Sequence, residues 1–170
     1  MAYVDTSVLI AAYQPKDQLH QVSKTFLSKR QTKIVSALTF VELSSVLARI
    51  KPELELPDPI RKEPLKRRIR AAVEYIIRDA SVILASTGSS TMNIGERRVT
   101  IPMEYSKAAS EAYRLKLRTL DMLHLAYAHL IGRLEFKLDF FVTGDQDILD
   151  AKAEIRDSLG LTATHPKEVV

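Results

Sequence analysis

AYVDTSVLI, residues 2–10, is a short apolar run that ends on a carboxylate and passes at once into a helix-starting sequence. Ala2-Tyr3-Val4 has the make-up of a buried strand, and Thr6-Ser7 ahead of Val8-Leu9-Ile10 that of a hydroxyl-capped helix N-terminus. Asp5 therefore falls at the carboxyl end of a first strand. In open α/β sheets ligands bind at that edge, which makes Asp5 a functional candidate from the opening residues. The competing use for an acid at this position is simply to cap the helix that follows.

The chain continues in the same alternation. After a break at Pro15-Lys16-Asp17, Gln18 to Arg30 carries Leu19, Val22, Phe26 and Leu27 at helical spacing. Lys33 to Leu38 predicts a second strand, and Thr39 to Ile50 a helix with Phe40, Leu43, Val46, Leu47 and Ile50 on one side. Strand, helix, strand, helix implies a parallel sheet covered on both faces, because parallel neighbours need crossover connections. Further strands are expected at Ser81–Ala85, Leu138–Thr143 and Leu161–Thr164, making about five, with helices from Pro102 to Leu115, from Thr119 to Gly132 and from Gln146 to Ser158.

Two middle segments stand apart. Lys51 to Pro64 holds prolines 52, 57, 59 and 64, which excludes regular helix or an inner strand and suggests an insertion. It leads into Arg61, Lys62, Lys66, Arg67, Arg68 and Arg70, opening a helix that runs on to Asp79, so the insertion as a whole spans about 51–70 and is Pro-rich and basic. Ser86 to Thr100 is a polar loop or a small hairpin.

With 170 residues, 46% of them hydrophobic, the chain has the size and core content of one domain, residues 1–170. The absence of cysteine removes disulfides, thiolate metal sites and thiol nucleophiles. No stretch approaches the roughly 18 uninterrupted apolar residues of a membrane span, so no membrane association and a cytoplasmic location are expected. A formal charge of +4 and a pI near 9.3 favour a polyanionic partner.

Four acids recur where strands end and helices begin: Asp5, Glu42, Asp121 and Asp145. Each has a capping alternative. Thr39-Phe40-Val41-Glu42 matches a capping box, Thr119 can cap a helix with Asp121 in its first turn, and Asp145 can be an N-cap itself. In a parallel sheet, however, all four are delivered to one edge, where they repel one another unless a cation intervenes. Oxygen ligands without cysteine select a hard ion, Mg²⁺ or Mn²⁺, which completes its shell with waters and phosphate oxygens. The expected chemistry is metal-assisted hydrolysis of a phosphate ester, with one or two ions and with Glu42 or Asp145 orienting the water.

VDTSVLIA, TFVELSSVL, TLDMLHLAYA and FVTGDQDIL, in this order, resemble the PIN-domain ribonuclease family, and within it VapC-type toxins most. The resemblance implies a three-layer α/β/α sandwich with a mainly parallel sheet, and Mg²⁺- or Mn²⁺-dependent cleavage of RNA. The implied catalytic and metal-binding residues are Asp5, Glu42, Asp121 and Asp145, with Thr6 and Thr143 as hydroxyls beside them. It also implies a homodimer and a small antitoxin whose C-terminal segment fills the acidic groove. The enlarged middle, from Lys51 to Arg70 and from Ser86 to Thr100, departs from the compact toxins, so that a PIN nuclease of ribosomal RNA maturation without an antitoxin, or a silent RNA- or protein-binding module, stands as the alternative.

His124 shares a helix side with Asp121; a metal or proton role is conceivable, but packing within the helix is the expectation. Asp139, Asp147 and Asp150 are expected at the surface, Asp139 at the opposite edge of the sheet. The basic residues Arg61, Lys62, Lys66, Arg67, Arg68 and Arg70, extended by Arg97 and Arg98, are candidate RNA contacts or a solvated helix face. A phosphotransfer receiver domain would want an acid ending the third strand, which SVILAS lacks, and a haloacid-dehalogenase-type phosphatase would want Asp-x-Asp where Asp5-Thr6-Ser7 stands.

Overall fold

The computed structural model of the chain describes residues 1–49, 53–134 and 136–169. Its centre is the opening tripeptide. Strand β1 (Ala2–Val4) is fully buried, and the sheet is built outward from it in both directions with all neighbours parallel. On one side lie β2 (Lys33–Ser36) and β3 (Val82–Ala85); on the other lie β6 (Phe140–Val142) and β7 (Ala163–Thr164), in the order β3-β2-β1-β6-β7. Between β3 and β6 in the chain, β4 (Ser89–Ile94) and β5 (Arg97–Pro102) form a separate antiparallel hairpin, which decides between the loop and hairpin expectations for this stretch.

Two-residue alternation distributes the strand side chains between two cores. Ala2, Val4, Val35 and Val142 enter one, beneath helices α1 (Thr6–Tyr13), α2 (His20–Ser28), α3 (Ala37–Arg49) and α5 (Leu65–Asp79). Tyr3, Ile34 and Phe141 enter the other, against α6 (Met103–Leu115), α7 (Thr119–Leu134), α8 (Gln146–Asp150) and α9 (Lys152–Leu159). The result is the three-layer α/β/α arrangement, with Tyr3 stacked on Phe141 at 5.3 Å in its second core. The all-apolar β1 follows from this, since a strand covered on both faces has no polar side to show; β3, at the sheet edge, leaves Ile83 and Leu84 exposed.

Several element boundaries differ from those expected. Strand β2 stops at Ser36 and α3 starts at Ala37, so Thr39 lies inside the helix, fully buried, and does not cap it. The capping box with Glu42 is thereby excluded. The proline-rich stretch contains one helical turn, α4 (Asp58–Arg61), in which Pro59 occupies the N-terminal turn where a missing N–H costs nothing. Lys51 and Pro52 of that stretch, and Ile50 of the expected helix face, lie outside the described residues. The helix expected over Gln146–Ser158 is two helices meeting at Ala151.

The strand order reverses at β1 and β6: the chain moves outward from β1 through β2 to β3, then returns to the other side. Ligands in open α/β sheets bind outside the carboxyl ends of the strands at such a switch point. Asp5 follows β1 there, and Asp145 follows β6.

Candidate active site

The turn after β6 is tied to Asp5 by two hydroxyls. Thr143 donates to Asp5 Oδ2 at 2.6 Å and accepts the Asp145 N–H at 3.0 Å; Ser7 donates to the same Oδ2 at 2.7 Å and accepts the Gly144 N–H at 3.2 Å. Each hydroxyl uses its lone pair on the turn and its proton on the acid, so one buried oxygen of Asp5 is held while Oδ1 stays uncommitted among the described residues. A Cβ at Gly144 would lie 2.4 Å from Leu19 Cδ1, so any side chain there requires the Leu19 side chain to move.

Glu42 is fixed in the same one-oxygen manner from the second turn of α3. Its Oε2 accepts from Thr6 at 2.6 Å and sits 2.5 Å from His124 Nε2, leaving Oε1 free of both donors. Burial works against the Glu42 charge, but the His124 and Thr6 hydrogen bonds and the His124 charge outweigh it and hold the carboxyl below its ordinary range. His124, 2% exposed, is pushed down by burial and raised on balance by the Glu42 bond and the Asp5, Glu42 and Asp121 charges. Its Nδ1 lies 2.9 Å from the Tyr3 hydroxyl, which donates to Ser36 at 2.7 Å. Candidate ligand atoms of Asp5, Glu42 and His124 lie within 4.8 Å of one another.

Asp121 and Asp145 form the other half. Asp121, in the first turn of α7, is buried enough to raise its pKa to about 6, with the Asp145 and Asp5 charges adding to burial and Arg118 and His124 opposing it. Its buried Oδ2 has no hydrogen-bond partner among the described residues. Asp145 does cap α8: Oδ1 accepts the Asp147 N–H at 2.8 Å. Capping occupies that oxygen alone, so the cap and the site do not compete. Across the mouth lies Arg118, whose carbonyl accepts the first-turn N–H of Met122 in α7 and whose guanidinium is 3.6 Å from Asp121, 3.7 Å from Asp145 and 2.5 Å from Asp147.

All four acids expected at the site thus lie on one sheet edge, with Thr6 on Glu42 and Thr143 on Asp5. A buried carboxylate oxygen that accepts no hydrogen bond among the described residues, beside acids whose second oxygens carry at most a long ionic contact, is a donor set that fits a hard divalent cation. His124, Ser7 and Arg118 were not among the residues expected to form it. Asp139 lies at the far edge, paired with the Met1 amino group. Asp147 is exposed, yet it touches the site through Arg118 and the Asp145 cap.

The basic residues occupy α4, α5 and the turn between them. Arg61 pairs with Asp58 and Arg70 with Glu74, while Arg68 reaches the Arg61 carbonyl. Lys62, Lys66 and Arg67 are exposed, and Lys66 and Arg70 line a shallow groove with Phe40 and Ser44 of α3, the helix that carries Glu42. Among the described residues, no helix is long and apolar enough to cross a membrane.

Comparison with curated proteins found no match. The sequence profile of the PIN domain family, in contrast, aligns with residues 2–154, from the first strand to α9 and through all four acids. PIN domains are generally metal-dependent nucleases, and the chain belongs to the PIN domain family.

Proposed function

We propose that the protein is an endoribonuclease dependent on Mg²⁺ or Mn²⁺, and the toxin of a toxin-antitoxin pair. The observation that carries the nuclease reading is the buried Oδ2 of Asp121, which accepts no hydrogen bond among the described residues and lies beside Asp5, Glu42 and Asp145 with only a 3.6 Å contact to Arg118. Asp5, Asp121, Asp145 and Glu42 would hold the ion. When bound, it would neutralise these carboxylates, acidify a water and stabilise the leaving oxygen of a phosphodiester.

The chain's own groups do the rest. Thr143 and Ser7 keep Asp5 from rotating, so Oδ1 is presented without an entropic cost at each encounter. Glu42 is anionic at neutral pH and its free Oε1 orients the attacking water by accepting its hydrogen bond. Arg118, held only by carboxylates at an exposed position, is the cation that meets an incoming phosphate. The exposed Lys62, Lys66 and Arg67, with Arg61, Arg68 and Arg70, supply sequence-independent attraction for the RNA backbone.

Cleavage of a mixed RNA pool by wild type, wild type with EDTA and Asp121→Asn tests the nuclease reading. Metal-dependent cutting by wild type alone is expected. Equal cutting by the variant would remove Asp121 from the site and overturn it. The toxin reading adds a cytoplasmic location, a homodimer and a small antitoxin with a basic segment that suits the acidic cleft. It predicts growth arrest on expression, relieved by co-expressing a small protein encoded alongside; growth arrest that no neighbouring product relieves would contradict it.

A further inference from the structure

One buried chain of polar groups has no role in the mechanism above. Ser36 at the end of β2, Tyr3 in the middle of β1 and His124 in α7 are fully or almost fully buried, and they are linked in series to Glu42. Their placement runs against the ordinary cost of putting polar atoms into a core, which each hydrogen bond in the series offsets. Donor and acceptor roles along the chain are restricted. Nε2 lies 2.5 Å from a carboxylate oxygen and must therefore bring a proton to it, while the Tyr3 hydroxyl donates to Ser36 and offers its oxygen to Nδ1. The ring is thus anchored at one end in the sheet and directed by the other at Glu42.

The direction matters because of what it leaves open. His124 and Thr6 both take Oε2 of Glu42, so Oε1 is the oxygen presented to the cleft. Thr6 alone could not fix the carboxylate, since a single hydroxyl permits rotation about that contact, whereas two donors on one oxygen from α1 and α7 define its plane. His124 Nε2 also lies 3.9 Å from Asp5 Oδ1 and 3.4 Å from Thr6 Oγ1, which sets the spacing between the Asp5 and Glu42 carboxylates.

We propose that Ser36, Tyr3 and His124 form a positioning relay for Glu42, in which His124 acts on the metal and water only through the Glu42 carboxylate and is not itself a ligand. This rests on the nuclease reading. Outer hydrogen-bond partners of this kind typically control metal affinity or activity by about 10- to 100-fold.

Gln and Asn at position 124 separate this role from simple core packing. The Gln amide reaches the place of Nε2 and can still donate to Glu42; the shorter Asn amide reaches only the place of Nδ1. Mn²⁺ binding, followed by the loss of the free-ion EPR signal, and steady-state RNA cleavage would be measured for wild type, His124→Gln, His124→Asn and Tyr3→Phe, each first shown to melt cooperatively. The expected result is that Gln, which keeps the bond to Glu42 and loses only the one to Tyr3, falls no further than Tyr3→Phe, while Asn falls about 10- to 100-fold in Mn²⁺ affinity or kcat with KM for RNA unchanged. Tyr3→Phe, which keeps the ring stacked on Phe141 and removes only the hydroxyl, falls in the same direction as Asn and by less. Wild-type behaviour in both Asn and Phe variants would overturn the relay, as would a directly coordinated ¹⁴N seen by pulsed EPR of the wild-type Mn²⁺ complex. A wild type that neither binds Mn²⁺ nor cuts RNA would instead overturn the nuclease reading, and the relay with it.

Discussion

The two halves of the acidic site are built on opposite principles. Asp5 and Glu42 each have one oxygen locked by two donors, from Thr143 and Ser7 in one case and Thr6 and His124 in the other. Asp121 has a buried oxygen with no hydrogen bond among the described residues, and together with Asp145 it faces an exposed guanidinium at 3.6 and 3.7 Å. The first half is preorganised and electrostatically settled. The second is frustrated: burial, with the Asp145 and Asp5 charges beside it, pushes the Asp121 carboxyl up to about 6. Holding an acid in so unfavourable a setting costs folding stability, which is where functional sites and stable cores part company.

Substitutions that keep shape and remove charge set the halves against each other. Asp5→Asn and Asp121→Asn should both lower cleavage by about 10³-fold or more, equivalent to about 4 kcal/mol of barrier, measured as single-turnover rates. Loss at one position alone would mean that only one half belongs to the chemistry. Thr143→Val is the next largest effect: it removes one of the two donors that lock Asp5 Oδ2 and strands the Asp145 N–H that Thr143 accepts. A fall of about 10- to 100-fold in kcat or metal affinity is expected, with a stability loss of about 1–3 kcal/mol in urea melts. Unchanged kinetics would show that the clamp is structural only.

Arg118→Gln should have a smaller and two-signed effect. Metal affinity, read by calorimetry, rises about two- to fivefold because a competing cation has gone, while RNA binding weakens and the slope of log affinity against log salt becomes shallower by about one. If both affinities fall, Arg118 supports the acids and does not compete for them.

Much of this was legible in the sequence, for reasons that particular residues make plain. Asp5 could be placed because three apolar residues followed by hydroxyls define a strand end and a helix start locally. Asp121 and Asp145 could be placed likewise, from the helix start at Thr119 and the turn at Gly144. The capping alternative for Thr39 and Glu42 fails because α3 starts two residues earlier than the local pattern indicates, at Ala37, which leaves Thr39 buried inside the helix. His124 was visible as a neighbour of Asp121 on one helix, but its partner Glu42 lies 82 residues away, and spacing within one helix cannot show what faces it. Arg118 did carry a signal, a cation three residues before an acid at a helix start, which also reads as an ordinary surface pair.

The pH dependence follows from the same frustration. An acid whose folded pKa is raised from its ordinary value near 4 to about 6 binds its proton more tightly folded than unfolded. Its contribution therefore lowers metal-free stability progressively as pH rises from about 4 to 6, and the full cost is present above pH 6. Allowing for partial burial, that cost is about 1–2 kcal/mol. The most direct measurement is the melting temperature of wild type and Asp121→Asn at pH 7.5, in EDTA and in excess Mn²⁺. In EDTA the variant should melt about 4 °C above wild type; in Mn²⁺ the wild type should gain and the variant should not, so the order reverses. A variant less stable than wild type in EDTA, or equal gains with Mn²⁺, would contradict the claim that these acids are held apart for a metal.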